Sequence, residues 1–193
     1  MSKSGWVHRD KVKASRGPIW VTIPIKNISS NPAINEAKID KNKSFERIIS
    51  IIENNYRAAP AFNETFPLIE NIFNHSSESL VDLNLKFLHA CLDWFGIQID
   101  ISFSSDLGSL PRKSEMNADI VNKVKGNIYL SGIGAKEYHD QIPFDEKNIK
   151  VLWQDFKHPI YKQQFGDFLP YLSVIDLFLN EGIESSRKIL RRT

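Results

Sequence analysis

Between Asp155 and Tyr161 the chain reads DFKHPIY, which sets a carboxylate three residues before a histidine. Histidine is the side chain whose ordinary pKa suits proton transfer near neutrality. Pro159 biases His158 toward an extended backbone, and Asp155 is near enough in sequence to orient its ring. Of the five histidines, His158 is therefore the acid/base candidate, with Asp155 as its partner. The same residues also read as an ordinary structural loop.

Two further loops carry polar chemistry. In SGIGAKEY (Ser131 to Tyr138), Gly132 and Gly134 let backbone N–H groups turn toward one point, and a following helix adds its positive end. That suits a phosphate or carboxylate, although a tight turn uses the same glycines. Ser131 fits a hydrogen-bond donor rather than a nucleophile, because the residue two before it is Tyr129 and not glycine. In SSDLGS (Ser104 to Ser109), Asp106 suits a ribose, an ammonium group or a base, while Ser-Ser-Asp also favours an Asx-type turn by itself. The head of the chain, GWVHRDKVK (Gly5 to Lys13), offers Trp6, His8, Arg9 and Lys11. An arginine beside aromatic surface is an anion clamp, and the plain alternative is an exposed basic start. His139 and Asp140 are expected to face solvent. Asp155, His158 and His139 share no close metal-ligand spacing of a known type, so no metal is expected.

These side chains need elements to position them. The 193 residues, 41% apolar and with twelve Phe and four Trp, suffice for one domain with a real core. Lys and Arg number 25 against 23 Asp and Glu, so net charge exerts no general pull toward nucleic acid or membrane. The basic end RKILRR (Arg187 to Arg192) reads as a helix C-terminus, where cations are favoured. The single cysteine, Cys91, excludes an internal disulfide and fits a reducing compartment. No apolar run is long enough to span a bilayer, and the start MSKSGWVHRDK has no apolar signal core, so a cytoplasmic location is expected.

WVTIPI (Trp20 to Ile25) reads as a strand after a Gly17-Pro18 turn, and EAKID as a short strand. From Ser44, a plausible N-cap, Phe45, Ile48, Ile49, Ile52 and Tyr56 fall on one helical stripe. Phe66 to Phe73 makes a second stripe, and Leu80 to Phe95 a third that Gly96 ends. Cys91 sits on that third stripe and reads as a small core residue rather than a nucleophile. Beyond it, Ile97–Phe103 alternates like a strand, Ser114–Gly126 reads as a helix, Asn127–Ser131 and Ile149–Gln154 as strands, and Pro170–Gly182 as a helix with Pro170 in its first turn. Helices between short strands argue for a parallel sheet with helices on its faces. The loops after those strands would then share one edge, where ligands bind in open α/β sheets.

GWVHRDKVK, WVTIPI, NNYRAAPAF, SSDLG, YLSGIGAKEY and DFKHPIYKQQFGDFLPYLSVIDLFLNEG, in this order, resemble the WbqC-like protein family of bacteria. The resemblance covers nearly the whole chain and is strongest from His158 to Gly182. It implies a single α/β domain over residues 1–193, with a Rossmann-like, mostly parallel sheet flanked by helices. The resemblance also leads to the expectation of an N-terminally short domain, without the usual first β-α unit. It adds Ser105, Tyr138 and Tyr161 to Arg9, Asp106, Ser131, Gly132 and Gly134 as ligand-binding positions. It implies transfer of an acyl or aminoacyl group, such as glycyl, to a sugar or nucleotide-linked sugar in surface polysaccharide (O-antigen) synthesis. The alternatives are a non-catalytic binding or assembly subunit and an inactive truncated member. The expected partner is an anionic or nucleotide-linked small molecule, with no nucleic acid and no membrane insertion; a homo-oligomer is compatible. No cofactor is indicated.

Overall fold

The computed structural model describes residues 5–30, 32–40, 45–108 and 111–191. Ser44, Ser109 and Arg192 lie outside them. Among the described residues the helices are α1 (Phe45–Tyr56), α2 (Phe62–Asn74), α3 (Leu80–Phe95), α4 (Lys113–Lys123), α5 (Ile142–Asp145) and α6 (Val174–Leu190). The strands are β1 (Arg9–Ala14), β2 (Gly17–Thr22), β3 (Ile128–Gly132) and β4 (Lys150–Gln154). The chain divides into two compact units, Met1–Gln98 with His158–Thr193, and Ile99–Lys157. The architecture is mixed α/β, with one antiparallel and one parallel pair of strands. The extended Rossmann-like sheet expected from the resemblance is not seen among the described residues.

The first unit begins with a hairpin. β1 and β2 pair antiparallel, with Ala14 opposite Gly17 and Lys11 opposite Trp20. Gly17 closes the two-residue turn at φ +114°, a conformation that side chains disfavour. The strand expected at Trp20–Ile25 thus begins three residues earlier, and the basic head supplies its partner. That partner was hidden because Arg9, Lys11 and Lys13 break any apolar alternation. Both faces of β1 are covered: Val12 is 1% exposed and Lys13 2%. The short strand expected at EAKID reduces to isolated bridges, Ile25 with Ile39 and Lys38 with Ser79.

The apolar stripes of α1 and α2 meet as their periodicity predicts, burying Ile48, Ile52, Phe66, Ile69 and Phe73 in one cluster with Ile175 and Leu179 of α6. On α3 the fully buried residues are Leu80 and Leu83, while Asn84 and Leu88 of the expected stripe are exposed. Ser79 caps α3, accepting the Asp82 N–H at 3.4 Å, and Gly96 ends it at φ +67°. Helix α6 starts at Val174, so Pro170 precedes it rather than occupying its first turn. Gly182 (φ 75°, ψ 169°) breaks α6 without ending it. The basic end is not simply solvated: Arg187 Nε donates to the Trp94 carbonyl at 3.1 Å.

In the second unit β3 and β4 run parallel, with Tyr129 opposite Val151 and Gly132 opposite Gln154. Tyr129 and Val151 pack on Ala118, Val121, Phe144 and Ile149. Ile97–Phe103 forms no strand despite its alternation: it has no pairing partner among the described residues, and Ile97, Ile99 and Phe103 are exposed.

Candidate functional site

A cavity of about 560 Å³ lies within the first unit, in the size range of small-molecule sites. Its deep wall is hydrocarbon from Val12, Ile52, Phe73 and Leu83, all nearly fully buried. Trp6, 63% exposed, and the half-exposed Leu88 mark its outer part. The turn Trp6–His8 and the start of β1 form one side, α1 and α2 contribute Ile52 and Phe73, α3 contributes Leu83, Phe87 and Cys91, and the start of α6 contributes Val174 and Ile175. Hydrogen bonds hold the sides together: Asn84 Nδ2 donates to the Val7 carbonyl at 3.0 Å, and the Ser173 N–H donates to the Lys11 carbonyl at 2.8 Å.

His8 is the unusual group in this wall. It is 3% exposed, and its Nδ1 has no hydrogen-bond partner. Burial, and then the charge of Arg9, lower its pKa below the ordinary 6.5. The ring is neutral at neutral pH and presents one donor and one acceptor. An unsatisfied buried polar atom is uncommon in a native fold. Cys91 also lines the cavity, and burial pushes its thiol up to about 11, so it is no activated nucleophile.

Outside the cavity, the hairpin carries an aromatic and cationic platform. Trp6 and Trp20 lie 5.1 Å apart between ring centroids. The Arg9 guanidinium sits 4.1 Å over Trp20, and Lys11 Nζ lies 5.0 Å from Trp20 and 5.9 Å from Trp6. Arg9 is therefore beside aromatic surface, as the anion-clamp reading of the head requires.

Behind β1 is a buried polar cluster. Asp176, fully buried, accepts hydrogen bonds from Tyr56 at 2.6 Å, from Tyr161 at 2.8 Å and from Gln163 at 2.9 Å. Lys13 Nζ reaches Gln163 Oε1 at 3.1 Å and the Asp167 carbonyl. Desolvation raises the pKa of Asp176, against the pull of these donors and of Lys13. Burial likewise pushes both tyrosines upward. The cluster pins residues 161–169, a stretch without regular structure, to β1 and α6.

His158 belongs to the first unit and Asp155 to the second. One contact of the His158 ring is its Nδ1, 2.9 Å from the Pro159 carbonyl. A carbonyl only accepts, so Nδ1 carries the hydrogen and Nε2 holds the basic lone pair. Phe168 and Tyr171 pack on the ring at 5.5 and 5.7 Å. Tyr161 is buried with its hydroxyl on Asp176. In the second unit, the paired ends Gly132 and Gln154 put the start of the 133–138 turn and Asp155 at one edge of β3–β4. Ser131 is buried and Tyr138 exposed. Gly132 has φ −68°, and neither Gly132 nor Gly134 would place a Cβ within 4 Å of another atom. The stretch Ile133–Tyr138 is a 3-10 run rather than the α-helix expected after the glycine pair. Ser105 and Asp106 are exposed in another 3-10 turn, hydrogen-bonded to each other at 3.2 Å. His139 does not simply face solvent: its ring packs on Phe144 and Trp153, each at 5.0 Å.

Lys13, Asn84 and Asp176 escaped notice as a polar framework because their partners are distant in sequence. His8 was visible only as part of a basic head. No helix among the described residues is long and apolar enough to cross a membrane.

The family model described as the WbqC-like protein family matches residues 1–188. An uncharacterized protein of Mycobacterium tuberculosis, Rv1507c, is 32% identical over 189 residues, which are 95% of this chain and 81% of the relative. No solved structure matches.

Proposed function

We propose that this chain, which belongs to the WbqC-like protein family, is a transferase that moves an acyl or aminoacyl group onto a sugar or nucleotide-linked sugar used in bacterial surface polysaccharide. The observation that supports this reading is the apolar cavity of about 560 Å³, in the size range of small-molecule sites, with Trp6, His8 and Arg9 among its lining residues. A carbonyl-bearing chain suits the apolar lining.

In the proposed step, an acceptor hydroxyl or amine gives its proton to a base, its oxygen or nitrogen bonds to the donor carbonyl, and the bond to the donor's leaving group breaks. The leaving group departs with a proton. His158 is proposed as the base, since its Nδ1 contact with the Pro159 carbonyl leaves the Nε2 lone pair as the basic position. Asp155, Ser105, Asp106, Ser131, Gly132, Gly134, Tyr138 and Tyr161 stay in the proposal as positions to substitute singly.

The test is to incubate the protein with nucleotide-linked sugars and either acyl thioester or aminoacyl donors, and to read product by mass spectrometry. His158→Gln should lower turnover by about a hundredfold to ten-thousandfold with donor binding retained. Absence of product with every donor, or undiminished turnover in the variant, would refute the reading or remove His158 from it, respectively.

A second reading, a binding or assembly subunit, is favoured by one observation. Parallel strands are normally covered on both faces. On β3 and β4, Ile128, Leu130 and Leu152 are 51, 59 and 38% exposed. A subunit of that kind would bind a partner and show no turnover.

A further inference from the structure

The two outer edges of the β1–β2 hairpin differ. In an antiparallel pair, alternate residues turn their N–H and C=O groups away from the partner strand. The Ile23 N–H donates to the His8 carbonyl at 2.8 Å, one step beyond the Arg9–Thr22 pair, which fixes the alternation along the hairpin. Lys11 and Lys13 of β1, and Pro18, Trp20 and Thr22 of β2, therefore direct their backbone groups outward. At Lys11 and Lys13 these groups are taken. The Lys11 N–H donates to Asp10 Oδ1, the Lys11 carbonyl accepts the Ser173 N–H at 2.8 Å, and the Lys13 N–H donates to the Tyr56 hydroxyl. On β2, no hydrogen bond among the described residues reaches the Pro18 carbonyl or the backbone groups of Trp20 and Thr22. Beyond Thr22 the edge closes again: the Pro24 carbonyl accepts the Asp40 N–H at 2.9 Å, and the Lys26 N–H donates to the Lys38 carbonyl at 2.8 Å. The open stretch is thus Pro18 to Thr22, with Trp20 at its centre.

We propose that β2 pairs with β2 of a second copy of this chain, antiparallel and across a two-fold axis at Trp20. An open edge is a template for a further strand, and natural edges are guarded by charged side chains, proline or bulges. β2, GPIWVT, has Pro18 near the turn and no charged residue, with Ile19 and Trp20 exposed, whereas β1, RDKVKA, carries four. That difference selects a second copy as the occupant, because two-fold symmetry sets a strand against itself and any charge near the axis meets a like charge. Laying the open stretch on itself sets Trp20 opposite Trp20, and Pro18 opposite Thr22, of the second copy. Each Trp20 N–H then donates to the Trp20 carbonyl of the other copy, and each Thr22 N–H to the Pro18 carbonyl. Pro18 lacks an N–H and ends the ladder. Every outward N–H of the stretch is bonded in this register. A slip along the strand either carries Thr22 past the turn or sets Pro18 against Pro24, whose edge Asp40 already fills. The exposed indole of Trp6, 5.1 Å from Trp20, adds aromatic area beside the axis. This pairing concerns assembly and does not depend on the proposed reaction.

Sedimentation velocity on the full chain should show a dimer at micromolar concentration. Amide hydrogen exchange should find Trp20 and Thr22 protected in that dimer, alongside Ile19 and Val21, which are bonded within the hairpin. Thr22→Pro is the selective variant. The Thr22 N–H points away from β1, so proline there removes no hairpin bond. It should weaken the dimer about thirtyfold, one hydrogen bond being lost from each copy, and leave the circular dichroism of the monomer unchanged. Thr22→Val keeps the N–H and should leave the dimer intact. A monomeric wild type would overturn the proposal. So would a dimer whose Trp20 and Thr22 amides exchange as fast as unbonded ones, or one that a folded Thr22→Pro leaves as tight as before. The exchange measurement is made on the wild type and decides the matter even where the proline variant does not fold.

Discussion

The Tyr56 hydroxyl lies 2.6 Å from Oδ1 of Asp176 and donates to it, while accepting the backbone N–H of Lys13 at 2.8 Å. One oxygen thereby ties α1 to α6 and to the backbone of β1. The neighbouring residue of β1, Val12, lies in the cavity wall. The shape of the cavity therefore depends on a polar cluster that does not line it.

Tyr56→Phe should destabilise the fold by about 1–3 kcal/mol, because the Lys13 N–H and a buried carboxylate oxygen each lose their partner. Urea denaturation followed by tryptophan fluorescence checks this. A loss within error of zero would mean that water replaces the hydroxyl.

Asp176 has a pH signature. Its folded pKa is raised, chiefly by desolvation, from the ordinary 3.8. The folded state therefore holds a proton where the unfolded chain has released it. This contribution to stability is present below 3.8 and is lost as pH rises through the folded pKa. Urea midpoints of wild type and Asp176→Asn, compared from about pH 4 upward, should differ in slope, with the wild type losing more as pH rises. Parallel profiles would contradict the assignment.

His8 should act in the opposite sense. Its pKa lies below 6.5 in the fold, so the unfolded state binds the extra proton first as pH falls. Stability should decline as pH drops through 6.5 toward the folded pKa. His8→Gln should flatten that part of the wild-type profile. Melting temperatures of wild type and variant measured across the range read the effect.

Gly182→Ala should cost about 1–3 kcal/mol through the positive φ alone. A Cβ there would also stand 3.0 Å from Glu64 Oε2 and 3.4 Å from Ala61 Cβ. Differential scanning calorimetry should show a lower melting temperature, with the helical circular dichroism retained below it. An unchanged midpoint would mean that α6 relaxes without penalty.

The helices of the first unit were legible because their signals are local. Phe45, Ile48, Ile52 and Tyr56 recur at helical spacing, and Gly96 marks the left-handed stop of α3; the cap at its other end, Ser79, was seen only in the structure. Strand β1 was not legible. Its burial on both faces comes from helices on one side and from residues 161–169 on the other, none of them near it in sequence. Ile97–Phe103 failed in the other direction, with alternation present and no neighbour to pair with.

The candidate site divides the same way. The head cluster Trp6, His8, Arg9 and Lys11 was visible as an aromatic and cationic group, since those residues are neighbours in the chain. Family membership was also readable from ordered motifs alone, and the match over residues 1–188 shows it. Only the tertiary structure put an apolar cavity beside that head, because Phe73 reaches it from α2, Leu83 and Cys91 from α3 and Ile175 from α6. It likewise placed Tyr56, Tyr161 and Asp176 in one buried cluster. Residue types and local spacing act through the backbone and are written in sequence order. A cavity or a buried carboxylate depends on which distant groups share one dry space, and chain packing decides that.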